Sequence, residues 1–144
     1  MTRPAGAQPV GDPAAGTRPL LPLLLVALGA AVGALLRWGL GRHDSPGPEV
    51  PWVTLAINAG GCFALAALPA IGAVRRSPHL SVLLGPGLLG GFTTVSTWAE
   101  ESRGLASEGA PGTAAFYVGL TLASCLTAAV AGRLFARSIV GPLA

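Results

Sequence analysis

Charge is the scarcest property of this 144-residue sequence. Only 10% of its residues are charged, lysine is absent, and the net charge of +3 comes from nine arginines against six acidic residues. Soluble domains carry roughly a quarter charged residues, so the chain lacks the polar surface that a water-soluble fold of this size needs. The arginines also form no basic stripe of the kind that binds nucleic acid. The composition therefore argues against a soluble enzyme and against a nucleic-acid-binding protein.

Cysteine is scarce as well. The two cysteines, Cys62 and Cys125, both lie inside apolar runs, where cysteine behaves as a small hydrophobic residue. Neither a disulfide framework nor a CxxC metal site is available. His43 and His79 flank predicted helices without a nucleophile or an acidic pair placed to meet them, so we expect no catalytic centre.

Long uncharged runs take the place of the missing polar residues. The chain is 51% hydrophobic, with a mean hydropathy of +0.63. About 20 helical residues cross a hydrocarbon core about 30 Å thick, and four runs reach or approach that length. They predict an all-α, multi-pass membrane protein with one transmembrane domain over residues 20–140. The predicted spans are residues 20–40, 50–74, 79–102 and 112–136.

The termini carry a separate signal. Residues 1–19 are rich in Pro, Gly and Ala without apolar periodicity and predict a disordered tail. A cleaved signal peptide is the alternative for the first leucine-rich run.

Arginines are more numerous on the side of the two termini and the second connection, which predicts that both termini are cytoplasmic. That side holds Arg3, Arg18, Arg75, Arg76, Arg133 and Arg137, and the other side holds Arg37, Arg42 and Arg103.

The second predicted span contains an amide, Asn58. An amide at hydrocarbon depth costs several kcal/mol unless its hydrogen bonds are satisfied, so Asn58 is predicted to face another helix or a water-filled path. Asn58 either joins two helices or lines a pore, and this residue alone does not separate the two interpretations.

The third predicted span concentrates helix-weakening residues between Gly85 and Trp98. Glycines, a proline and four hydroxyl residues lie at mid-depth, where glycine weakens a helix and Ser or Thr competes for backbone hydrogen bonds. We predict a broken helix, whose freed carbonyl groups could hold a cation. Close helix packing through Gly87 and Gly91 is the alternative, because small residues four apart form a contact face.

The fourth predicted span places Tyr117, Thr121 and Cys125 on one face. Such a stripe occurs in helix packing as well as in pore linings. No Asp, Glu or Lys lies deep in any predicted span, and Arg37 lies near a helix end where it can reach the interface. A proton-coupled exporter that depends on a membrane carboxylate is therefore disfavoured.

The chain resembles the Fluc/CrcB family of fluoride channels over about residues 24–137. The run from Gly90 to Glu101, GGFTTVSTWAEE, is the most specific match. The other matches are weaker singly but occur in the expected order. They are the run GALLRW from Gly33, the run TLAINAGGCF from Thr54, and Tyr117 with Thr121 and Cys125.

This resemblance implies a passive channel subunit in the cell membrane that lets cytoplasmic fluoride leave the cell. Two subunits would pair in antiparallel orientation, a dual-topology type of dimer with two narrow pores. The resemblance implies a structural sodium ion at the dimer centre, held by the backbone carbonyls of Gly90 and Thr93. It places Asn58, Val95, Trp98, Tyr117, Thr121 and Cys125 along the pore, and it assigns Arg37, Thr94, Ser96 and Glu101 to motif positions.

Two residues depart from the family pattern. The family usually has phenylalanine at two positions three apart in the third helix, where this chain has Val95 and Trp98. Val95 offers an anion no positive ring edge, whereas Trp98 keeps a ring and adds an N–H donor. We therefore expect the partner to be an oppositely oriented paralogue rather than a second copy. A non-conducting or half-active partner subunit and a proton-coupled small-solute exporter are the alternative functions.

Overall fold

The computed structural model describes residues 20–42 and 49–141, and every regular element within them is helical. The predicted tail, His43 and part of the first connection lie outside these residues. The helices are α1 (Leu20–Gly41), α2 (Trp52–Ala67) with a 3₁₀ turn (Leu68–Ala70), α3 (Gly72–Arg76), α4 (Pro78–Val82) with a π-helical segment (Leu83–Leu89), α5 (Gly90–Phe92), α6 (Val95–Ser107) and α7 (Pro111–Val140).

Four stretches are long and apolar enough to cross a membrane. They are Leu20–Gly41, Trp52–Ala70, Pro78–Ser107 and Pro111–Val140. Large apolar side chains such as Leu24 and Leu126 remain exposed along them, which is the pattern that a lipid-facing surface requires. The prediction of an all-α, multi-pass integral membrane protein with four spans is confirmed.

The second span is shorter than the sequence suggests. It ends at Ala70 rather than at residue 74, because Pro69 cannot donate the backbone hydrogen bond that would continue the helix. Ile71 then adopts extended dihedral angles, φ −82° and ψ 107°, and α3 begins separately at Gly72. The apolar run continues past the turn, so hydropathy alone carries no signal for the end of this span.

The third span is interrupted twice. Its first half passes through the π-helical segment, which contains Pro86. Further along, Thr93 and Thr94 are extended, with ψ angles of 156° and 125°, before α6 begins at Val95. The predicted break in the third helix is confirmed. It lies where the sequence is rich in glycine and threonine and has few strong helix formers.

Glycines allow the backbone of α1 to approach the part of the third span that precedes the break. A Cβ atom at Gly33 would overlap the carbonyl oxygen of Leu88, and one at Gly91 would overlap the backbone of Ala30. The small residues of α1 and of the third span therefore form a contact face as well. The third span is both broken and closely packed, so its glycines serve helix weakening and close helix packing at once.

Replacing Gly33 by valine is expected to lower the free energy of unfolding by about 1–3 kcal/mol, because the new side chain meets backbone that cannot move aside. Gly39→Ala is the matched control on the same helix, since nothing lies within 4 Å of a Cβ at that position. Thermal denaturation followed by circular dichroism in detergent measures both variants. Equal stability of the two variants would contradict the close approach of α1 to the third span.

Candidate functional site

The backbone at the break is completed by the side chain of Asn58. The Thr94 N–H, which a continuous helix would direct at the Gly90 carbonyl, donates to Asn58 Oδ1 at 2.8 Å. Asn58 Nδ2 in turn donates to the Thr94 carbonyl oxygen at 2.9 Å. Both residues are buried, where unpaired backbone groups would be costly. Asn58 of α2 thus accepts the N–H that the broken helix no longer satisfies, and it adds a second hydrogen bond to the Thr94 carbonyl, which also starts α6.

Thr94 also starts the second half of the span. Its Oγ1 atom accepts the Thr97 N–H at 3.1 Å and lies 3.0 Å from Thr97 Oγ1 and 3.2 Å from Ser96 Oγ. An oxygen that accepts from the third residue of a helix is an N-cap, worth about 1 kcal/mol. The hydroxyl residues of the motif therefore fix the position at which α6 begins.

Thr93 anchors the break against α2. Its hydroxyl donates to the Leu89 carbonyl oxygen at 3.0 Å, and its methyl group fills the space where a Cβ atom of Gly61 would lie. Gly90, three residues earlier, is exposed on the surface of the chain, and Thr93 is half-buried. The break therefore brings backbone oxygens near the protein surface at membrane depth.

The described residues contain no group of three or more His, Cys, Asp or Glu side chains that could hold a metal ion. Any cation at the break would depend on backbone oxygens, which are hard ligands suited to a hard ion. Unwound carbonyls inside membrane spans coordinate sodium in transport proteins. The freed carbonyl at Gly90 and the extended backbone at Thr93 fit such an ion.

A cavity of about 610 Å³ lies beside the break. It opens to the surface of the chain, because Val95 on its wall is 76% exposed. Most of its lining is apolar side chain, with a few hydroxyl, amide and thiol groups. Five of the six residues predicted to line a pore share this cavity, namely Asn58, Val95, Trp98, Thr121 and Cys125.

Two donors on residues of the cavity wall have no protein partner. Trp98 Nε1 and Thr121 Oγ1 are buried and make no hydrogen bond within the described part of the chain. A buried donor without a partner costs about 1–3 kcal/mol. An acceptor would therefore be favourable at either atom once a shift of the side chain exposed it to the cavity, since both atoms are closed to solvent in this structure. Both residues come from the predicted pore set.

Tyr117, the sixth predicted pore residue, does not line the cavity. Its side chain is fully buried, and its hydroxyl donates to Glu101 Oε2 at 2.7 Å. Thr54 Oγ1 donates to Glu101 Oε1, also at 2.7 Å. These two hydroxyl groups hold the carboxyl group of α6 between α2 and α7. Sequence reasoning did not assign Thr54, although its position four residues before Asn58 places both polar side chains on one helical face.

A second, more polar pocket of about 300 Å³ lies next to Glu101. Arg37 and Arg42 line it, and Arg37 Nε donates to the Gly91 carbonyl oxygen at 3.4 Å. The Arg42 guanidinium stacks over the Trp38 ring at 5.1 Å. Thr94 lines this pocket as well as the apolar cavity. Glu101 lines the pocket too, so the break separates a pocket with two arginines and one carboxyl group from an apolar cavity.

Tyr117→Phe is expected to lower the free energy of unfolding by about 1–3 kcal/mol, because the half-buried carboxyl group of Glu101 loses a donor from a fully buried side chain while the ring is kept. Ser107→Ala on α6 is the control, since it removes an exposed hydroxyl that donates to the Gly104 carbonyl oxygen, and such surface changes stay within about 0.5 kcal/mol. Thermal denaturation compares the two. A loss no larger for Tyr117→Phe than for the control would contradict the role of this hydroxyl.

Comparison with known proteins gives one consistent set of relatives. The profile of the family described as "CrcB-like protein, Camphor Resistance (CrcB)" matches residues 24–133. "Fluoride-specific ion channel FluC" of Erythrobacter litoralis is 39% identical over 129 residues, which cover 83% of this chain and 94% of the relative. "Fluoride-specific ion channel FluC 2" of Nocardia farcinica is 38% identical, covering 98% and 97%. "Fluoride-specific ion channel FluC 1" of Streptomyces avermitilis is 43% identical, covering 81% and 96%.

Proposed function

We propose that this chain, which belongs to the CrcB-like protein family, is a subunit of a fluoride-specific ion channel that lets cytoplasmic fluoride leave the cell. The observation that supports this most strongly is the broken third span beside an apolar cavity whose wall residues Trp98 and Thr121 carry unpartnered donors. The relatives with 38–43% identity, whose names specify a fluoride channel, point to the same ion. Passive conduction needs no catalytic centre.

The chemistry of the cavity suits a small anion. Fluoride is strongly hydrated, so a pore must replace its water shell with hydrogen-bond donors and positive dipoles while staying too narrow for larger anions. Thr121 Oγ1 and Trp98 Nε1 are such donors, and an aromatic ring presents a positive edge. Arg37 and Arg42 in the neighbouring pocket lie on the side away from the proposed cytoplasmic termini, so their positive charge would attract the anion outward past the break.

A second subunit is part of this proposal. Gly90 and Val95 are exposed on either side of the non-helical residues Thr93 and Thr94, and Thr93 is only half-buried. Non-helical backbone is not tolerated against lipid. An inverted subunit on this face would cover the backbone and close the open side of the cavity. Because Val95 supplies no ring edge, we propose a paralogous chain as the partner. We place the termini of this chain in the cytoplasm because of its arginine bias, and a partner of inverted orientation would have the opposite bias.

A sodium ion between the subunits completes the proposed assembly. The carbonyl oxygens of Gly90 and Thr93 would hold it together with the matching oxygens of the partner. The ion would supply positive charge that offsets the desolvation of fluoride, and it would tie the two subunits together.

Removing sodium is therefore expected to weaken the dimer. In detergent, replacement of sodium by N-methylglucamine should lower the apparent melting temperature and shift the protein toward monomer on size-exclusion chromatography, since a ligand that binds only the assembled form stabilises it. Potassium at the same ionic strength is the control for salt screening. An unchanged dimer without sodium would contradict the cation site.

Anion efflux from vesicles tests the function itself. We expect vesicles with this chain and its paralogue, loaded with potassium fluoride and made permeable to potassium by valinomycin, to release fluoride. Vesicles loaded with potassium chloride should release chloride roughly 100-fold more slowly or less, which corresponds to about 2.7 kcal/mol of discrimination. Efflux without valinomycin but with an imposed proton gradient would favour the exporter. Fluoride release no faster than from empty vesicles would contradict the channel.

A further inference from the structure

A cavity of about 410 Å³ lies between the second and third spans, at the connection that joins them. Arg75 and Ser81, both exposed, line it close to the connection. Leu65, Leu68 and Pro86 line it further into the two spans. The proposed channel function assigns no role to this cavity, which we name the connection cavity.

The lining of the connection cavity changes from polar to apolar with depth. The third span begins at Pro78, and Pro86 lies eight positions later, roughly 10 Å along a helix. The headgroup layer on each side of a bilayer is about 5–8 Å thick. The inner end of the cavity therefore lies at the depth of acyl chains, whereas Arg75 and Ser81 lie close to the headgroups.

The end of the molecule that contains this cavity is positively charged. The spans alternate in direction, so the connection and the last turns of α7 lie at the same end, where α7 packs on the 3₁₀ turn. The arginines of this end among the described residues are Arg75, Arg76, Arg133 and Arg137. The acidic residues of the described part of the chain lie toward the opposite end, and they are Glu49, Glu100, Glu101 and Glu108. This charge distribution favours an anionic ligand at the connection.

The two arginines of the connection lie against its backbone. Arg75 Nη1 donates to the Pro69 carbonyl oxygen at 3.3 Å. Arg76 folds over Gly72, where a Cβ atom would lie 3.1 Å from Arg76 Nη1. A guanidinium carries five N–H donors, so the bond to Pro69 leaves Arg75 with donors for a phosphate group, which arginine binds through two parallel hydrogen bonds.

We infer that the connection cavity binds one anionic diacyl phospholipid. Arg75 binds its phosphate group, Ser81 Oγ supplies a further donor, and one acyl chain lies along Leu65 and Pro86. A soluble phosphate compound would use only the polar end of the cavity and would leave the apolar lining in contact with water, which is unfavourable. The order of groups in a phospholipid matches the whole length of the cavity.

A second subunit is the rival occupant, because Leu65 and Pro86 also border the cavity beside the break. The positive charge at the mouth favours the lipid, whose phosphate is an anion at the same depth. The lipid site does not rest on the proposed channel function, since it depends only on the connection and the membrane around it.

Lipid binding to the full chain in detergent tests the site. Native mass spectrometry counts the phospholipids retained, and phosphatidylglycerol is compared with phosphatidylcholine of the same acyl chains. We expect the natural chain to retain one phosphatidylglycerol at a lipid concentration roughly tenfold lower than that needed for phosphatidylcholine. Phosphatidylglycerol should also raise the melting temperature of the natural chain, since a ligand that binds only the folded state stabilises it.

Arg75→Gln should reduce this preference for phosphatidylglycerol to roughly twofold or less. Arg133→Gln is the matched control, because Arg133 is exposed at the same end but does not line the cavity. The control variant should keep the preference of the natural chain. An equal loss in the two variants would overturn the site, because general surface charge would then account for the binding.

Three further results would overturn the lipid site. The first is a natural chain that retains both phospholipids equally well. The second is displacement of phosphatidylglycerol by glycerophosphate at equal concentration, which would make the cavity a site for soluble phosphate compounds. The third is loss of the lipid from a dimeric form while the monomer retains it, which would assign the cavity to the second subunit. None of these measurements depends on fluoride transport.

Discussion

Asn58→Leu should produce the largest loss of any single substitution in this chain. Leucine has the same number of side-chain heavy atoms and the same branch point as asparagine, but it can neither accept the Thr94 N–H nor donate to the Thr94 carbonyl. The buried Thr94 N–H would be left without a partner, which costs about 1–3 kcal/mol, and the Thr94 carbonyl, which also starts the hydrogen bonds of α6, would lose its second donor. We expect the free energy of unfolding to fall by about 2 kcal/mol or more and fluoride efflux to fall roughly tenfold or further in the fraction that still folds.

Gly60→Ala is the matched control for this prediction, because it lies on the same helix and a Cβ at that position meets nothing within 4 Å. Thermal denaturation measures stability, and fluoride efflux is normalised to the amount of monodisperse protein incorporated in the vesicles. A leucine variant as stable as the alanine control would show that the break does not depend on Asn58. Normal stability with lost efflux would instead make Asn58 a pore residue alone.

Val95→Phe is expected to have the second largest effect, in the direction of gain. The Val95 side chain is 76% exposed and borders the cavity, so a phenylalanine ring fits there without displacing the core. The ring would add a positive edge at a position where valine offers only methyl groups. Reconstituted without a paralogue, the natural chain should release fluoride slowly, and Val95→Phe should raise that release roughly tenfold or more, equivalent to about 1.4 kcal/mol.

Val95→Leu separates the effect of the ring from the effect of bulk. Leucine fills similar space but has no ring quadrupole, so its efflux should remain close to that of the natural chain. Equal gains for leucine and phenylalanine would contradict the electrostatic role of the ring. If the phenylalanine variant stays inactive alone and also with the paralogue, the chain serves as a non-conducting partner that completes the dimer.

The sequence carries most of the information about the spans and the break. Uncharged runs long enough to cross a bilayer leave few alternatives to transmembrane helices. The glycines and threonines around Gly90 weaken the third helix at membrane depth, where non-helical backbone is stable only if protein or a cavity satisfies it. The clustering of Asn58, Trp98 and Thr121 at one cavity also agrees with their spacing on the helices. These features depend on local composition and helical periodicity, which are visible in one sequence.

Features that depend on one particular partner atom were not predictable. Pro69 ends the second span inside an apolar run, and its effect is hidden because hydropathy is unchanged beyond it. Tyr117 shares a face with Thr121, but the acidic group that binds its hydroxyl comes from another helix. The two roles proposed for Asn58 also could not be separated from the sequence. In the structure it both lines the cavity and bridges to Thr94, because the break lies against that face of α2.

The most direct measurement is an experimental density map of the chain in lipid together with its partner. The prediction is a third span interrupted at Thr93 and Thr94, with an inverted subunit covering Gly90 and Val95 and a density for one ion between the carbonyl oxygens of the two subunits. A continuous helix through Thr93, or lipid tails packed directly against the face that contains Gly90 and Val95, would contradict it.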